Sequence, residues 1–245
     1  PYTGCNPRGL MLARDKVLSK KLFSFHRIPF PDFMMVPQGR TVKRPKWLSF
    51  PLIVKSVTEE ASLGISQASI VQDDDKLKER VEFIHASVGT GALIEQYIEG
   101  RELYVGVLGN GQVHVLPVWE LLMDQLPEDA RRIATERVKW SRAYQDKYGI
   151  RSGEARNLPD GKAEEVQHLA KRVYRALSLN GYARIDVRMD AAGHVYVLEA
   201  NPNPQIARDE DFADSAAHCG LSYCQLLQKI LTLAVSYDSI GQSPA

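Results

Sequence analysis

One stretch of the chain, residues 181–204, constrains the fold more than any other. Its sequence is GYARIDVRMDAAGHVYVLEANPNP, and apolar and polar residues alternate from Tyr182 to Met189 and again from His194 to Ala200. Alternation with a period of two is typical of a β-strand with one buried face, and the residues from Asp190 to Gly193 are typical of a turn. The stretch therefore predicts a β-hairpin.

The length of the turn sets the register of this hairpin. A turn of the four residues from Asp190 to Gly193 places three pairs opposite each other: Met189 and His194, Arg184 and Glu199, and Asp186 and Val197. The opposite face holds the apolar residues Ile185, Val187, Met189, Tyr196 and Leu198. Burial of that face enforces the parity, because a slip of one residue would mix the two faces. The polar face is expected to carry Arg184, Asp186, Glu199 and Asn201.

Two interpretations of this polar face stay open from these residues alone. Two carboxylates and a carboxamide are oxygen ligands of the kind that hold Mg²⁺ together with substrate phosphates. The segment Asn201-Pro202-Asn203-Pro204 also ends the strand abruptly, where a rigid loop would fix the geometry of such ligands. The alternative is a solvated polar face with a cross-strand ion pair between Arg184 and Glu199.

The remainder of the chain mixes helical and strand-like patterns. Helices are predicted from about Asp15, from Asp73 to about Ser87, along the apolar stripe from Val166 to Leu177, and from Tyr223 to Ala234. Further strands are predicted at 33–36, 51–56, 92–97, 102–108 and 113–118, and residues 149–161 are predicted to form a loop. Mostly hairpin-linked strands in mixed order with helices predict an α+β fold rather than a doubly wound parallel sheet.

Two further segments contain residues suited to a nucleotide. Lys55 lies inside an apolar strand and is followed by Ser62-Leu63-Gly64-Ile65-Ser66, a small-residue loop whose N–H groups could meet phosphate oxygens beside the lysine. The run from Leu93 to Leu103 begins as an apolar strand and continues with acidic residues on both sides of Gly100. Such a run could offer backbone groups to adenine and a carboxylate to ribose. The alternatives are an edge-strand lysine beside a surface turn, and ordinary solubilising acids. Lys16 and Lys147 taken alone read as surface lysines.

Composition and charge exclude several classes of partner. The chain has 31 Lys and Arg against 30 Asp and Glu, a formal net charge of +1, so no global field would hold it to nucleic acid or to a membrane. Its three cysteines lack the paired spacing of a zinc site and predict reduced thiols in a cytoplasmic protein. No secretory signal, partnered histidine spacing or Gly-x-Ser-x-Gly elbow is present, and all six histidines are interpreted as structural.

Five weak motifs occur in one order along the chain: Asp15-Lys16, PLIVKS with Ser62-Leu63-Gly64, IEQYIEGREL, QDKY, and ARIDVRMD with VLEANPNP. In that order the chain resembles an ATP-grasp carboxylate-amine ligase of the D-alanine-D-alanine ligase branch, from about residue 1 to residue 235. The resemblance implies two α+β lobes with ATP bound between them, expected here at residues 1–97 and 98–245. It also implies ATP and Mg²⁺, two ions in the family, as cofactors.

The resemblance further implies a role for each matching residue. Phosphate contacts would come from Lys16, Lys55 and the loop containing Ser62 and Gly64, with Lys147 reaching the phosphates from a mobile substrate-side loop. Adenine would be met by the run Glu95, Gln96, Tyr97 and Ile98, and ribose by Glu102. Metal ligands would be Asp186, Glu199 and Asn201, while Arg184 would stabilise the tetrahedral intermediate. No protein nucleophile is needed, since phosphoryl transfer depends on positioning and charge neutralisation.

The expected function is ATP-dependent ligation of a carboxylate, on an amino acid or short peptide, to an amine through an acylphosphate. The alternatives are a phosphotransferase and a non-catalytic nucleotide-binding module on the same fold. Gln205 stands where the family usually has Gly, and Glu210 stands where it has Ser, which puts the amine-side pocket in doubt. The family's amino-terminal domain has no counterpart before Pro1, so the chain is expected to be a fragment, a trimmed chain, or a family member whose substrate site is built differently. Substrate identity stays open, and a homodimer is an expectation from the resemblance alone.

Overall fold

The computed structural model describes residues 1–58, 65–127 and 130–237. Helices in the described residues are α1 (Pro7–Arg14), α2 (Lys16–Phe25), α3 (Asp74–Phe83), α4 (Glu136–Trp140), α5 (Arg142–Tyr148), α6 (Lys162–Ala176), α7 (Asp211–His218) and α8 (Tyr223–Val235). Strands are β1 (Phe33–Val36), β2 (Leu52–Ser56), β3 (Ile70–Val71), β4 (Ala92–Gln96), β5 (Arg101–Gly109), β6 (Val113–Met123), β7 (Ile150–Glu154), β8 (Tyr182–Met189) and β9 (Val195–Pro202).

The strands of the described residues form two sheets whose neighbours all pair antiparallel. The first sheet has the order β1-β4-β2-β3 and the second the order β7-β6-β5-β8-β9. Helices pack against both sheets, so the predicted α+β class is confirmed. No helix in the described ranges is long and apolar enough to cross a membrane.

The first sheet buries one face and turns the other toward the second sheet. Leu52, Val54 and Ile94 pack with Leu77 and Val81 of α3 in one apolar cluster. Successive strand residues point to opposite faces, so the residues between them point away from α3. Lys55 is thereby directed into the space between the sheets, and because β2 is an inner strand, the alternative of an edge-strand lysine is wrong.

The second sheet carries the largest apolar cluster on one face. Valines and isoleucines of β5, β8 and β9 pack there against the apolar stripe of α6, which includes Val166, Leu169 and Val173. Phe23 of α2 and Ala13 of α1 belong to the same cluster, so the first two helices pack on the second sheet.

The chain passes from the first sheet to the second between Gln96 and Arg101, close to the predicted boundary between the lobes. The division into lobes 1–97 and 98–245 stays a proposal.

The register of the β8–β9 hairpin differs from the predicted one. Met189 pairs with Val195 rather than His194, and Asp186 pairs directly with Glu199 rather than Val197. The pairing shifts by one residue between Asp186 and Val187, and this β-bulge inserts Leu198 as an extra residue. The pairing next to the turn is already shifted by one residue from the prediction, and the bulge shifts it by one more. A shift of two residues restores the parity, so the predicted polar face survives: Arg184 pairs with Asn201 and Asp186 with Glu199.

The observed register also corrects the predicted apolar face. Ile185, Val187 and Met189 lie in the core with Val195, Val197 and Ala200. Tyr196 and Leu198 are only half-buried and lie on the polar side, since Tyr196 pairs with Arg188 and Leu198 lines the cleft between the sheets. The alternation of apolar and polar residues could not predict this register, because neither the turn nor the strand lengths in the sequence indicate that Leu198 is an extra, unpaired residue.

Several elements escaped the sequence patterns. The predicted loop at 149–161 begins with an edge strand, β7, which pairs with β6 at the end of the second sheet. That strand contains Ser152 and Gly153 and lacks the alternation that would have identified it. Helices α1, α4, α5 and α7 have eight residues or fewer, too few to show a helical stripe.

Candidate active site

The two sheets face each other across a cleft, and most of the predicted site residues line it. Predicted residues in its walls are Lys16, Lys55, Glu95, Gln96, Tyr97, Ile98, Glu102, Asp186 and Glu199. The cleft has a volume of about 70 Å³, and a larger cavity of about 990 Å³ adjoins it at Tyr97 and Glu102. Residues far apart in the chain thus converge on one small charged space.

Glu95 lies between two lysines at the floor of this cleft. Its carboxylate oxygens lie 2.7 Å from Nζ of Lys55 and 2.5 Å from Nζ of Lys20, and its side chain is 1% exposed. Burial opposes ionisation of Glu95, but the two lysines outweigh it and lower its pKa to about 2. The resemblance implied contact between Glu95 and adenine, whereas the structure places its carboxylate against Lys55, where it compensates and orients that ammonium group.

Lys20 was not among the predicted site residues. It follows Lys16 by one helical turn on α2, so both side chains lie on the same face of the helix. Burial lowers the pKa of Lys20, although Glu95 opposes this effect. The sequence signal was available, since a second lysine at i+4 on an amphipathic helix is expected to follow the first toward the same surface.

The carboxylates of Asp186 and Glu199 face the cleft from adjacent strands. Lys16 Nζ lies 3.8 Å from Glu199 Oε2. Burial opposes ionisation of Glu199, but Lys16, Lys139 and Lys55 outweigh it and lower the pKa of that carboxyl. Burial raises the pKa of Asp186, and the neighbouring Glu199 adds to the effect while Arg184 opposes it. The two acids therefore compete for the same positive charges.

A chain of contacts links these acids to Glu102. Arg184 donates to both carboxylate oxygens of Asp186, at 2.8 and 2.9 Å, and its guanidinium lies 4.5 Å from the centre of the Tyr104 ring. The Tyr104 hydroxyl donates to Glu102 Oε1 at 3.0 Å, and Arg188 Nη1 lies 3.9 Å from Glu102 Oε2. The polar face of β5 and β8 is therefore one connected network rather than a solvated surface.

The residues predicted to bind Mg²⁺ fit a cation that is shared with a phosphate. Asp186 and Glu199 are cross-strand neighbours, and Nδ2 of Asn201 is buried with no hydrogen-bond partner among the described residues, so a flipped amide would present its oxygen instead. No group of three or more His, Cys, Asp or Glu suited to a metal exists within the described residues. Two carboxylates and one amide fit Mg²⁺ completed by phosphate oxygens, and binding would require Arg184 to release an oxygen of Asp186.

Two cations that sequence reasoning missed also line the cleft, Arg188 and Lys139. Arg188 is 4% exposed, and its Nη2 donates to the backbone oxygens of Gly100 and Arg132 at 2.9 and 2.6 Å. The sequence did indicate Arg188, because it lies two residues after Asp186 in the same strand and therefore on the same face as Arg184 and Asp186. Lys139 gave no comparable signal, since it lies on the short helix α4.

The structure does not bring every predicted residue to the cleft. Lys147 is exposed on α5, with its Nζ 4.9 Å from the centre of the Tyr148 ring. Ser62 and Gly64 lie outside the described residues. Gln205 and Glu210 are exposed beyond β9, and burial together with Asp211 raises the pKa of Glu210.

The model of a protein family described as "D-ala D-ala ligase C-terminus" matches residues 22–232. A protein of Sinorhizobium fredii, "Uncharacterized protein y4sG", is 32% identical over 234 residues, which are 96% of this chain and 66% of that protein. The D-alanine–D-alanine ligase of Bordetella petrii is 34% identical over 243 residues, covering 96% of this chain and 68% of the ligase. The chain spans about two thirds of the length of these relatives.

Among solved structures, D-alanine–D-alanine ligase from Bacillus anthracis complexed with ATP matches with a TM-score of 0.76 at 25% identity. The match covers 96% of this chain and 70% of that chain. These similarities confirm the resemblance that the five motifs predicted, and the structural match confirms the ATP-grasp fold. The names of the two ligases agree with the predicted carboxylate-amine ligase class and support neither the phosphotransferase nor the non-catalytic module.

Proposed function

The chain belongs to the D-ala D-ala ligase C-terminus family, and we propose that it supplies the nucleotide-binding and phosphoryl-transfer centre of an ATP-dependent carboxylate-amine ligase. The observation that carries the proposal is the convergence of Lys16, Lys55, Asp186 and Glu199 in one cleft between two antiparallel sheets. Paired lysines and paired carboxylates in a small cavity suit a triphosphate bound together with a divalent cation.

Each wall of the cleft has a part in this proposal. Lys16 and Lys55 bind the phosphates, and Glu95 holds Lys55 in place. The run from Gln96 to Ile98 receives adenine where the chain passes from the first sheet to the second, and Glu102, oriented by Tyr104, accepts from ribose hydroxyls. Asp186, Glu199 and Asn201 hold Mg²⁺, which neutralises phosphate oxygens when bound. Lys147, Ser62 and Gly64 stay proposed phosphate contacts on the strength of the resemblance alone.

The reaction needs no covalent bond to the protein. A carboxylate oxygen of the substrate attacks the γ-phosphorus of ATP, and the bond from that phosphorus to the β-γ bridging oxygen breaks. ADP is released, and the substrate becomes an acylphosphate. The amine then attacks the acyl carbon, the carbon–oxygen bond to phosphate breaks, and the nitrogen loses a proton. Arg184 stabilises the oxyanion of the tetrahedral intermediate, since a preorganised guanidinium in a poorly solvated site lowers the barrier without reorganising.

The substrates are proposed to be amino acids or short peptides. Support comes from the D-alanine–D-alanine ligase among the relatives, whose name states the bond that it forms. Gln205 and Glu210 alter the side of the pocket where the amine would bind, so stereochemistry and side chain are left to measurement. We place the protein in the cytoplasm because its three cysteines are unpaired, and a homodimer stays a proposal.

Two measurements test the proposed function. Calorimetry of this chain with ATP and Mg²⁺ is expected to show saturable binding that EDTA weakens. Release of ADP by the protein, measured against a panel of D- and L-amino acids, is expected to rise with one pair of substrates and to match the amide formed. An absence of ATP binding, or ADP release that no amino acid stimulates, would contradict the ligase.

A further inference from the structure

Residues 131–139, called the strap here, cross from the second sheet to touch the first lobe. The side-chain amide of Gln67 makes two hydrogen bonds with the backbone of Arg131: Nε2 donates to its oxygen at 2.9 Å, and Oε1 accepts from its nitrogen at 3.0 Å. The backbone nitrogen of Glu136 donates to the oxygen of Ile65 at 3.3 Å. The strap is therefore attached to the first lobe at both ends.

The inner side of the strap is attached to the cleft itself. Arg188 donates to the backbone oxygen of Arg132 at 2.6 Å, and Ile133, 3% exposed, packs with Ile53 and Tyr97. Ile133, Ala134 and Lys139 all line the cleft. The strap is thus a wall of the cavity and not a surface loop that passes it at a distance.

Lys139 is held at the end of this wall. The side chain of Thr135 accepts from the nitrogen of Val138 at the start of α4, and Gln145 Nε2 donates to the oxygens of Val138 and Lys139 at 2.9 and 3.1 Å. These contacts satisfy both ends of a helix that is too short to be stable alone. The backbone of Lys139 is therefore fixed relative to the cleft.

The charge of Lys139 distinguishes it from the other cations of the cleft. Lys55 and Lys20 are compensated by Glu95, and Arg184 by Asp186. Lys139 makes no ion pair within the part of the chain that the structure describes, although it faces the same cavity. Burial raises the pKa of the Glu199 carboxyl, but nearby cations outweigh this effect and lower the pKa. Lys16 contributes most to the lowering and Lys139 next, so Lys139 lies close to Glu199.

We propose that Lys139 binds the triphosphate of ATP, as a further phosphate-binding residue that the strap carries to the cleft that Lys55 also lines. This inference rests on the proposed function and adds a residue that the family motifs in the sequence do not include. Lys139 is half-buried and has no carboxylate partner among the described residues, so it can form a charged hydrogen bond to phosphate without first losing one to those residues. Lys147, by contrast, is exposed on the next helix.

Calorimetry with Mg²⁺-ATP and with AMP tests the inference. Lys139→Met is expected to raise the Kd for ATP about ten-fold or more and to leave the Kd for AMP within about two-fold, because only the longer phosphate chain reaches the lysine. Lys139→Arg should retain most of the affinity for ATP. The matched control is Arg137→Met, which removes one positive charge from the exposed side of the same helix and should leave both constants unchanged.

Three outcomes would overturn the inference, and they differ from failure of the proposed function. If Lys139→Met binds ATP as tightly as Arg137→Met, the lysine does not contact the triphosphate. If ATP and AMP weaken equally in Lys139→Met, the lysine acts through the fold of the strap. If the unsubstituted chain binds neither nucleotide, the proposed function falls and this inference falls with it.

Discussion

Glu95 Oε2 lies 2.7 Å from Nζ of Lys55, across a diagonal of the paired strands β2 and β4. The glutamate is 1% exposed and the lysine 13% exposed, so the lysine alone keeps an opening to the cleft. Lys20 approaches the same carboxylate from α2. The lysine that we propose as a phosphate ligand is thus anchored by a carboxylate that a second lysine holds in its charged form.

The pH dependence of stability is expected to reveal this arrangement. The pKa of Glu95 is lowered from 4.5 to about 2, so its contribution is complete above pH 4.5 and is lost as the pH falls through about 2. Glu95→Gln removes the charge at every pH. The difference in unfolding free energy between the unsubstituted chain and Glu95→Gln should therefore shrink, on the order of 3 kcal/mol, between neutral pH and pH 2.

Urea unfolding followed by circular dichroism across this pH range measures the difference. Glu79→Gln is the control, because Glu79 is 71% exposed and pairs with the similarly exposed Lys76 one helical turn away. The difference in unfolding free energy between Glu79→Gln and the unsubstituted chain should stay small at every pH. A difference for Glu95→Gln that does not change with pH would show that Glu95 is not held as a carboxylate between the lysines.

Removing Lys55 is expected to separate phosphate binding from adenine binding. A charged hydrogen bond contributes about 1.5–3 kcal/mol, so Lys55→Ala should weaken binding of ATP roughly ten-fold or more and leave adenosine almost unaffected. Titration of both ligands by calorimetry measures this. Equal weakening of the two would mean that Lys55 acts through the fold of the first sheet.

Glu199→Gln tests the carboxylates of the hairpin. The substitution removes a charged oxygen ligand at nearly constant volume, so Mg²⁺-dependent ATP hydrolysis by this chain should fall roughly 100-fold or more while the thermal unfolding curve keeps its shape. Glu165→Gln, on the solvent side of α6, serves as the control. Hydrolysis at the unsubstituted rate in Glu199→Gln would refute the metal assignment.

Arg188 and Glu102 are expected to couple energetically. Arg188→Met removes the buried cation beside the Glu102 carboxylate and the hydrogen bonds that Arg188 donates to the backbone oxygens of Gly100 and Arg132, so the chain should lose on the order of 3 kcal/mol of stability. Glu102→Gln removes the charge that Arg188 faces. In a double-mutant cycle measured by denaturant unfolding, the double variant should therefore lose less unfolding free energy than the sum of the losses of the two single variants. Strict additivity would show that the two residues act independently.

The sequence determined which faces of the site strands are polar. Alternation around residues 182–200 placed Arg184, Asp186 and Glu199 on one side, and burial of the opposite side left no other choice of face. For Lys55, the sequence predicted a position inside an apolar strand and left open whether its side chain meets a phosphate or lies at the edge of a sheet. Such properties depend on the spacing of neighbouring residues, and a strand repeats its side-chain direction every two residues whatever it later packs against.

Only the tertiary structure decided which charges meet. The bulge at Leu198 set the pairing of Asp186 with Glu199, and the approach of α2 to the first sheet made Glu95 a partner of two lysines. The strap brought Lys139 to the cleft by hydrogen bonds to Gln67, far away in the chain. The partner of a charged side chain depends on which distant segments come within a few ångströms of it, and spacing along the sequence carries no information about that distance.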